Sequence, residues 1–308
     1  MRDRRVPTTS FALVRDHKGR AGKFRTALDS VLDRAVGMSS RALGDDLDRR
    51  LAALSLQANE AGFDAFGADS FTMRCTLPWV AYMYRWYFRA ETTGIERIPK
   101  GRVLLVANHS GQIPIDGVMI VASLVLDGDP PRLARGMIDK WIATLPFFSI
   151  WFPRVGQAIG SPENARRLVE REEALVVFPE GIRGISKTFD KRYQLTDFGL
   201  GFMRLALETK TPIVPIAVIG GEEQYVSVAN WKSFGQFLGI PSFPVVPQLL
   251  LYPFPFPTKY RMVFGEPLHF QGDPDDEDAA IEEKVWVVRT TIEGMLRRGL
   301  KERRAVFW

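Results

Sequence analysis

His109 and Asp116 are the residues of this chain best suited to chemistry. The segment Val103-Leu-Leu-Val-Ala-Asn-His-Ser-Gly-Gln-Ile-Pro-Ile-Asp116 opens as a short apolar run, the pattern of a buried strand. It closes at Pro114-Ile-Asp116-Gly117, just ahead of the apolar run 118–126, so Asp116 either caps or starts a helix. Asn108 and His109 occupy the polar loop between the two. In an open α/β sheet, ligands bind in the crevice beyond the carboxyl ends of the strands. A neutral imidazole placed there can take a proton near pH 7 if a carboxylate fixes its tautomer. A lone histidine beside an apolar run is as often only a hydrogen-bonded core residue. Three features favour chemistry: the strand-to-helix loop, the acid at short range, and a second loop of the same type. That second loop, Phe178-Pro-Glu-Gly-Ile-Arg183, follows another apolar strand.

The elements that must carry these loops follow from periodicity and punctuation. Strands are expected at 90–98, from 103, at 133–135, at the 156–160 edge, and at 174–178, 212–219 and 260–264. Between them fall helices from Asp116, from 161 to about 172, and over 195–209. Ser161 is placed as N-cap with Pro162 at the first helical position. A final amphipathic helix begins at Asp273-Pro-Asp-Asp-Glu277 and reaches about residue 298. This alternation predicts an α/β fold: a mostly parallel central sheet flanked by helices, with an N-terminal helical region. The expected division is 1–89, helical and membrane-associating, and 90–308, the α/β domain.

Residues 23–61 carry helical periodicity. Residues 73–88 combine Trp79, Tyr82, Tyr84, Trp86 and Tyr87 with Arg74, Arg85 and Arg89. That composition fits an interfacial helix and a helix packed on the sheet equally well. Residues 233–258 contain no charge and six prolines, which a spanning helix would not tolerate. The segment therefore covers the protein core or meets lipid, and a long apolar patch favours lipid.

The bulk numbers set bounds. A chain of 308 residues with 46% hydrophobic and 25% charged residues is globular and able to bury a sizeable core. The net charge of +5 favours anionic partners: phosphorylated substrates, acyl carriers, anionic lipid or nucleic acid. Basic residues are dispersed among acids and no reader motif is present, which argues against nucleic acid. One cysteine, Cys75, rules out an internal disulfide and a cysteine-built metal site, and packing is its expected role. Three scattered histidines do not make a histidine-rich metal site. No apolar core follows the basic start Met1-Arg-Asp-Arg-Arg, and no run of about 18 apolar residues suits a spanning helix, so neither a signal peptide nor a transmembrane span is expected.

Asn108-His109…Asp116, then Phe178-Pro-Glu180-Gly181-Ile-Arg183, then Pro212-Ile-Val-Pro215, together resemble the glycerolipid acyltransferase family of the lysophosphatidate acyltransferase type. The resemblance spans about residues 90–270 and rests on three blocks in the right order. It implies acyl transfer from a coenzyme A or acyl-carrier-protein thioester to a glycerolipid hydroxyl at a membrane surface, on the cytoplasmic side. His109 would be the base and Asp116 its partner. Asn108, Glu180, Gly181, Arg183 and Lys187 would form the substrate-binding group. Gly181 would let backbone approach substrate, Arg183 would meet an acceptor phosphate, and Glu180 would hold the loop or Arg183. No nucleophile, metal or further cofactor is implied; there is no G-x-S-x-G elbow.

Two departures stand out. In the family's common form the acid follows the histidine by five residues, and here Asp116 follows His109 by seven. A similar spacing occurs in relatives that acylate neutral glycerides. The stretch Gly156-Gln-Ala-Ile-Gly-Ser161 also lacks the arginine that the family uses for glycerol phosphate, for which Arg154 or Arg166 could substitute.

Overall fold

The computed structural model describes residues 46–307 other than 55, 141, 232–234, 236–242 and 251. The helical pattern expected over 23–45 and the first part of the uncharged segment lie outside these residues. Strand β2 (Val103–Ala107) is the centre of the fold. All five of its residues are buried, as a continuous apolar run requires when both sheet faces are covered. Around it lie β1 (Glu91–Thr93), β3 (Ala134–Ile138), β4 (Ala158–Ile159), β5 (Ala174–Val177), β6 (Ile213–Ile219) and β9 (Arg261–Phe264). They form one seven-stranded sheet in the order β1-β9-β6-β2-β5-β3-β4. The run from β6 to β4 is parallel, β9 is antiparallel to β6, and β1 lies parallel to β9. The fold is thus α/β with a mostly parallel sheet, as expected.

Helices cover both faces. On one side α2 (Ser70–Tyr82) and α3 (Ile115–Leu126) pack on Val103, Leu105 and Ala107. On the other, α5 (Pro162–Glu170), α7 (Gly201–Thr209) and α8 (Asp278–Glu302) pack on Leu104 and Val106. The described residues also include short helices α1 (Leu47–Ala53), α4 (Phe148–Arg154) and α6 (Ile182–Ile185). Ser161 caps α5 by accepting from Asn164 N, with Pro162 in the first turn, as expected.

Several elements differ from expectation. The strand expected over 90–98 stops at Thr93, where Gly94 (φ +80°) turns the chain into a 3-10 turn, Ile95–Arg97. Helix α7 starts at Gly201 instead of 195, because 195–199 is spent bonding the Phe178–Arg183 loop: Gly199 N donates to Pro179 O. Beyond β7 (Ala229–Trp231), β8 (Phe243–Val245) pairs with it as a separate antiparallel ribbon, and a 3-10 turn, Pro247–Leu250, follows. Cys75 is exposed and not part of the core.

Helix α2 continues into a π-helical turn, Met83–Tyr87. It begins at Asp69, which accepts from Thr72 N. Tyr84 and Phe88 are fully buried in the same core as β2, together with Leu47 and Ala81, whereas Leu51, Leu54 and Met73 join a smaller cluster with Val125 and Leu133. Trp79, Tyr82 and Trp86 are 65%, 43% and 45% exposed on another side. The segment therefore packs on the sheet and also presents aromatics outward. Phe88 stands edge-on to Tyr260 at 5.0 Å. Phe88→Ala is expected to lower unfolding free energy by about 3–5 kcal/mol in urea titration. A loss under about 1 kcal/mol would mean that residues 70–88 are not integral to the core.

Candidate active site

Parallel pairing of β2 with β5 brings the two sequence loops side by side: Val106 is opposite Val177, so both strands deliver their next residues at one sheet edge. The His109 and Phe178 rings stack there, 4.1 Å apart and 17° from parallel. Helix α6 closes the site from below. A Cβ on Gly184 would stand 2.7 Å from His109 Cβ and 2.9 Å from Glu180 Cβ, so glycine is what allows this approach.

The His109–Asp116 pair forms as the residue types suggested. His109 Nδ1 is 2.7 Å from Asp116 Oδ2. Asp116 is fully buried and also accepts from Ser110 N at 2.7 Å and Gly117 N at 2.8 Å. It lies in the first turn of α3, where an anion is favoured by the helix N-terminus. An ionised carboxylate only accepts, so a neutral imidazole in this contact carries its hydrogen on Nδ1 and its lone pair on Nε2.

Glu180 holds the loop and not Arg183. One carboxylate oxygen accepts His109 N at 3.0 Å, the other Thr196 N at 2.8 Å and Thr196 Oγ1 at 3.0 Å. Lys187 Nζ lies 3.4 Å from Glu180 Oε2 and 2.8 Å from Glu222 Oε1. Buried in this way, Lys187, expected among the substrate-binding residues, is not among the residues that line the cavity at His109. Asn108, expected in the same group, bonds to backbone. It is fully buried and spans β2 to β6, donating to Val218 O at 3.0 Å and accepting Val218 N at 2.7 Å. Its two amide bonds replace ladder bonds where β2 ends. Gly181 is exposed with φ +55° and allows the turn that closes with Gly181 N on Phe178 O. Arg183 is exposed and donates to Asp197 O at 3.0 Å. Arg154 lies over the Phe63 ring and Arg166 pairs with Glu208 at 2.8 Å.

His109 opens onto an apolar cavity of about 430 Å³. Its walls come from α1 (Leu51), α2 (Met73, Leu77, Val80), α3 (Val118, Val121), β3 (Met137), α4 (Phe148, Trp151) and Phe178. Gln112, half-exposed Ile113 and Pro114 edge it next to His109. Among the described residues no Lys or Arg lines it. Nor is any group of three His, Cys, Asp or Glu side chains among them placed to hold a metal ion.

Sequence reasoning assigned no role to Gly184, Thr196 or Glu222, and it named Phe178 in the second loop without its stacking on His109. Phe178 and Gly184 act by shape, while Thr196 and Glu222 reach the site only through the turn after α6 and the turn after β6. Gly184 sits one helical turn after Glu180, the single local hint.

Residues 89–219 match the family model described as Acyltransferase. An uncharacterized protein of Mycobacterium tuberculosis is 34% identical over 293 residues, 89% of this chain and 81% of that protein. A Mus musculus protein described as a DGAT1/2-independent enzyme synthesizing storage lipids is 25% identical over 190 residues, 62% of this chain and 56% of that one. The crystal structure of a 1-acyl-sn-glycerophosphate acyltransferase from Thermotoga maritima superposes with TM-score 0.50 at 17% identity, covering 92% of this chain and 99% of that one. The class that the match over residues 89–219 indicates is an acyltransferase. The chain belongs to one family with the Mycobacterium tuberculosis protein, and its residues 89–219 match an acyltransferase domain.

Burial raises the Glu222 carboxyl from its ordinary 4.5 to about 7, against the opposing pull of Lys187. Between those values the folded protein keeps a proton that the unfolded chain has released, so this group's contribution to stability falls as pH rises through the window. Urea unfolding at stepped pH is expected to show wild type losing up to about 3 kcal/mol relative to Glu222→Gln between pH 4.5 and 7. A constant difference would refute the raised proton affinity.

Proposed function

We propose that this protein transfers a fatty acyl group from an acyl thioester to a hydroxyl of a glycerolipid, with His109 as general base. The observation that carries this reading is the His109–Asp116 pair, 2.7 Å apart, at the mouth of an apolar cavity. The acyl chain lies in the cavity. The acceptor hydroxyl gives its proton to His109 Nε2 as its oxygen attacks the thioester carbonyl, and the collapsing intermediate expels the thiolate, which leaves with that proton. Asp116 holds Nδ1–H and offsets the imidazolium charge. The donor is a coenzyme A or carrier-protein thioester.

The test is purified protein in detergent with long-chain acyl-CoA and a panel of acceptors: lysophosphatidate, glycerol 3-phosphate, other lysophospholipids and monoacylglycerol. His109→Ala is expected to lower acyl transfer by about 10²–10⁴-fold. Full activity in the variant would refute the reading, and free fatty acid as the sole product would make the protein a hydrolase.

A neutral-glyceride acceptor is a second reading with its own observation. The cations expected to meet phosphate are engaged elsewhere: Arg183 with Asp197 O, Lys187 with two carboxylates, Arg154 over Phe63 and Arg166 with Glu208. Product from monoacylglycerol but not from lysophosphatidate supports it.

Membrane contact belongs to the same proposal. No helix of the described residues is long and apolar enough to cross a membrane. Trp79, Tyr82 and Trp86 form an exposed ring ladder, with centroids 5.8 and 6.0 Å apart. Tyr87, directly after it, bonds to Tyr252 at 2.8 Å, next to exposed Leu250 (88%) and Phe254 (63%). Such a patch of aromatics suits the headgroup layer. Trp79→Ser/Trp86→Ser/Leu250→Ser is expected to lower liposome co-sedimentation about tenfold or more, with the wild-type interaction surviving high salt. Complete release of wild type by salt would mean electrostatic attachment.

A further inference from the structure

We propose that Lys187 and Glu222 are positioning residues for the His109–Asp116 pair, holding the 109–116 loop through Glu180 and through Gln112. The proposal rests on His109 being the base. Lys187 is the junction. Its side chain is 5% exposed, and Nζ sits 2.8 Å from Glu222 Oε1, 3.4 Å from Glu180 Oε2 and 3.2 Å from Gln194 O. Glu180 passes this constraint on, because its other oxygen accepts the backbone N–H of His109 at 3.0 Å. The Lys187 carbonyl makes a second connection by accepting Gln112 Nε2 at 2.9 Å. One residue thus fixes the loop at His109 and again at Gln112.

The loop needs this second fixing point. Asp116 follows His109 by seven residues, and a longer loop has more closure entropy to overcome. Gly111 (φ +73°) turns the chain against Gln224, and Gln112 is the next side chain able to bond outward. The Lys187–Glu222 contact at 2.8 Å has the length of a charge-assisted bond, which is shorter and stronger than one between neutral groups. Glu222 supplies the partner that keeps Lys187 at the junction. The groups facing Glu222 are Lys187, Glu180 and the Tyr193 backbone, whereas Glu223 turns to Arg303 at 2.6 Å and to the Tyr193 hydroxyl. Neither residue lines the cavity at His109, so the effect of the pair on the reaction is expected through His109.

The test compares wild type with Lys187→Arg, Glu222→Gln, His109→Ala and the double variant Lys187→Met/Glu222→Gln. Above pH 7, where Glu222 is ionised, the double variant removes one charge of each sign and leaves the net charge of the cluster unchanged. One readout is independent of activity: the far-downfield proton of the His109 Nδ1–H bond to Asp116, assigned by its absence in His109→Ala. The other is kcat and KM for acyl-CoA and acceptor. In the double variant the downfield proton is expected to vanish and kcat to fall about 10²-fold, with both KM values held and a cooperative thermal transition retained. Lys187→Arg is expected to keep the proton and most of kcat. Glu222→Gln, should the double variant not fold, is expected to broaden the proton and to lose the component of the kcat decline near pH 7 that Glu222 protonation adds. An unchanged proton and kcat in the double variant or in Glu222→Gln would overturn the proposal. So would a raised KM at constant kcat, which would place Lys187 on substrate. Full activity in His109→Ala would overturn the base assignment instead, and the proton signal would still decide the positioning role.

Discussion

A carboxylate fully removed from water, holding three N–H groups, organises this site. Asp116 is 0% exposed and accepts from His109, Ser110 and Gly117 within 2.8 Å. A buried anion without such partners would cost several kcal/mol, so the structure must supply all three donors together. Each comes from a different source: a side chain at the end of β2, the loop backbone, and the first turn of α3. That requirement fixes the distance between strand and helix and the path of the loop between them. The β2–β5 register then sets Phe178 against the imidazole, and Gly184 leaves room for α6 beneath it.

Much of this was legible in the sequence where it is local. The run at 103–107 has nowhere to go but a doubly covered strand, and Ser161-Pro162 carries its own helix start. The pairing of His109 with Asp116 followed from a strand, a polar loop and an acid at a helix start. Less legible was where single polar side chains make their contacts. Asn108 is next to His109 in sequence but points along the sheet to Val218, because a strand end must satisfy its neighbour's backbone. Lys187, expected on substrate, is a counter-ion for two buried acids. Glu222 could not be found from the sequence, since its proximity to Lys187 is made by the return of β6 beside β2.

The cavity was illegible for a related reason. Leu51, Leu77, Val121, Met137 and Trp151 come from five elements, and no window of the sequence contains two of them at a meaningful spacing. Each reads locally as ordinary core. Whether such side chains fill a core or line a void depends on how far apart the elements are held. Here Trp151 Nε1 donates to Thr76 Oγ1 at 3.2 Å, which ties α4 to α2. The overall basic charge was equally uninformative about the site, since the cations nearest it in sequence are paired with carboxylates, carbonyls or rings.

Helix α2 and its π-helical extension have weak amphipathicity, and the structure gives the reason. One side, Met73, Leu77 and Val80, lines the cavity. A second, Tyr84 and Phe88, is buried on the sheet. A third, Trp79, Tyr82 and Trp86, is exposed. A helix apolar on every side normally belongs wholly inside a protein or a bilayer. This one divides its apolar surface among core, cavity and exterior, so the wall of the cavity and the exposed aromatic ladder are two sides of the same rigid rod. Any surface that engages the ladder therefore lies one helix diameter, about 10 Å, from the cavity. In the proposed reaction that geometry shortens the path of a lipid from an apolar surface to His109, and it does so without a hinge.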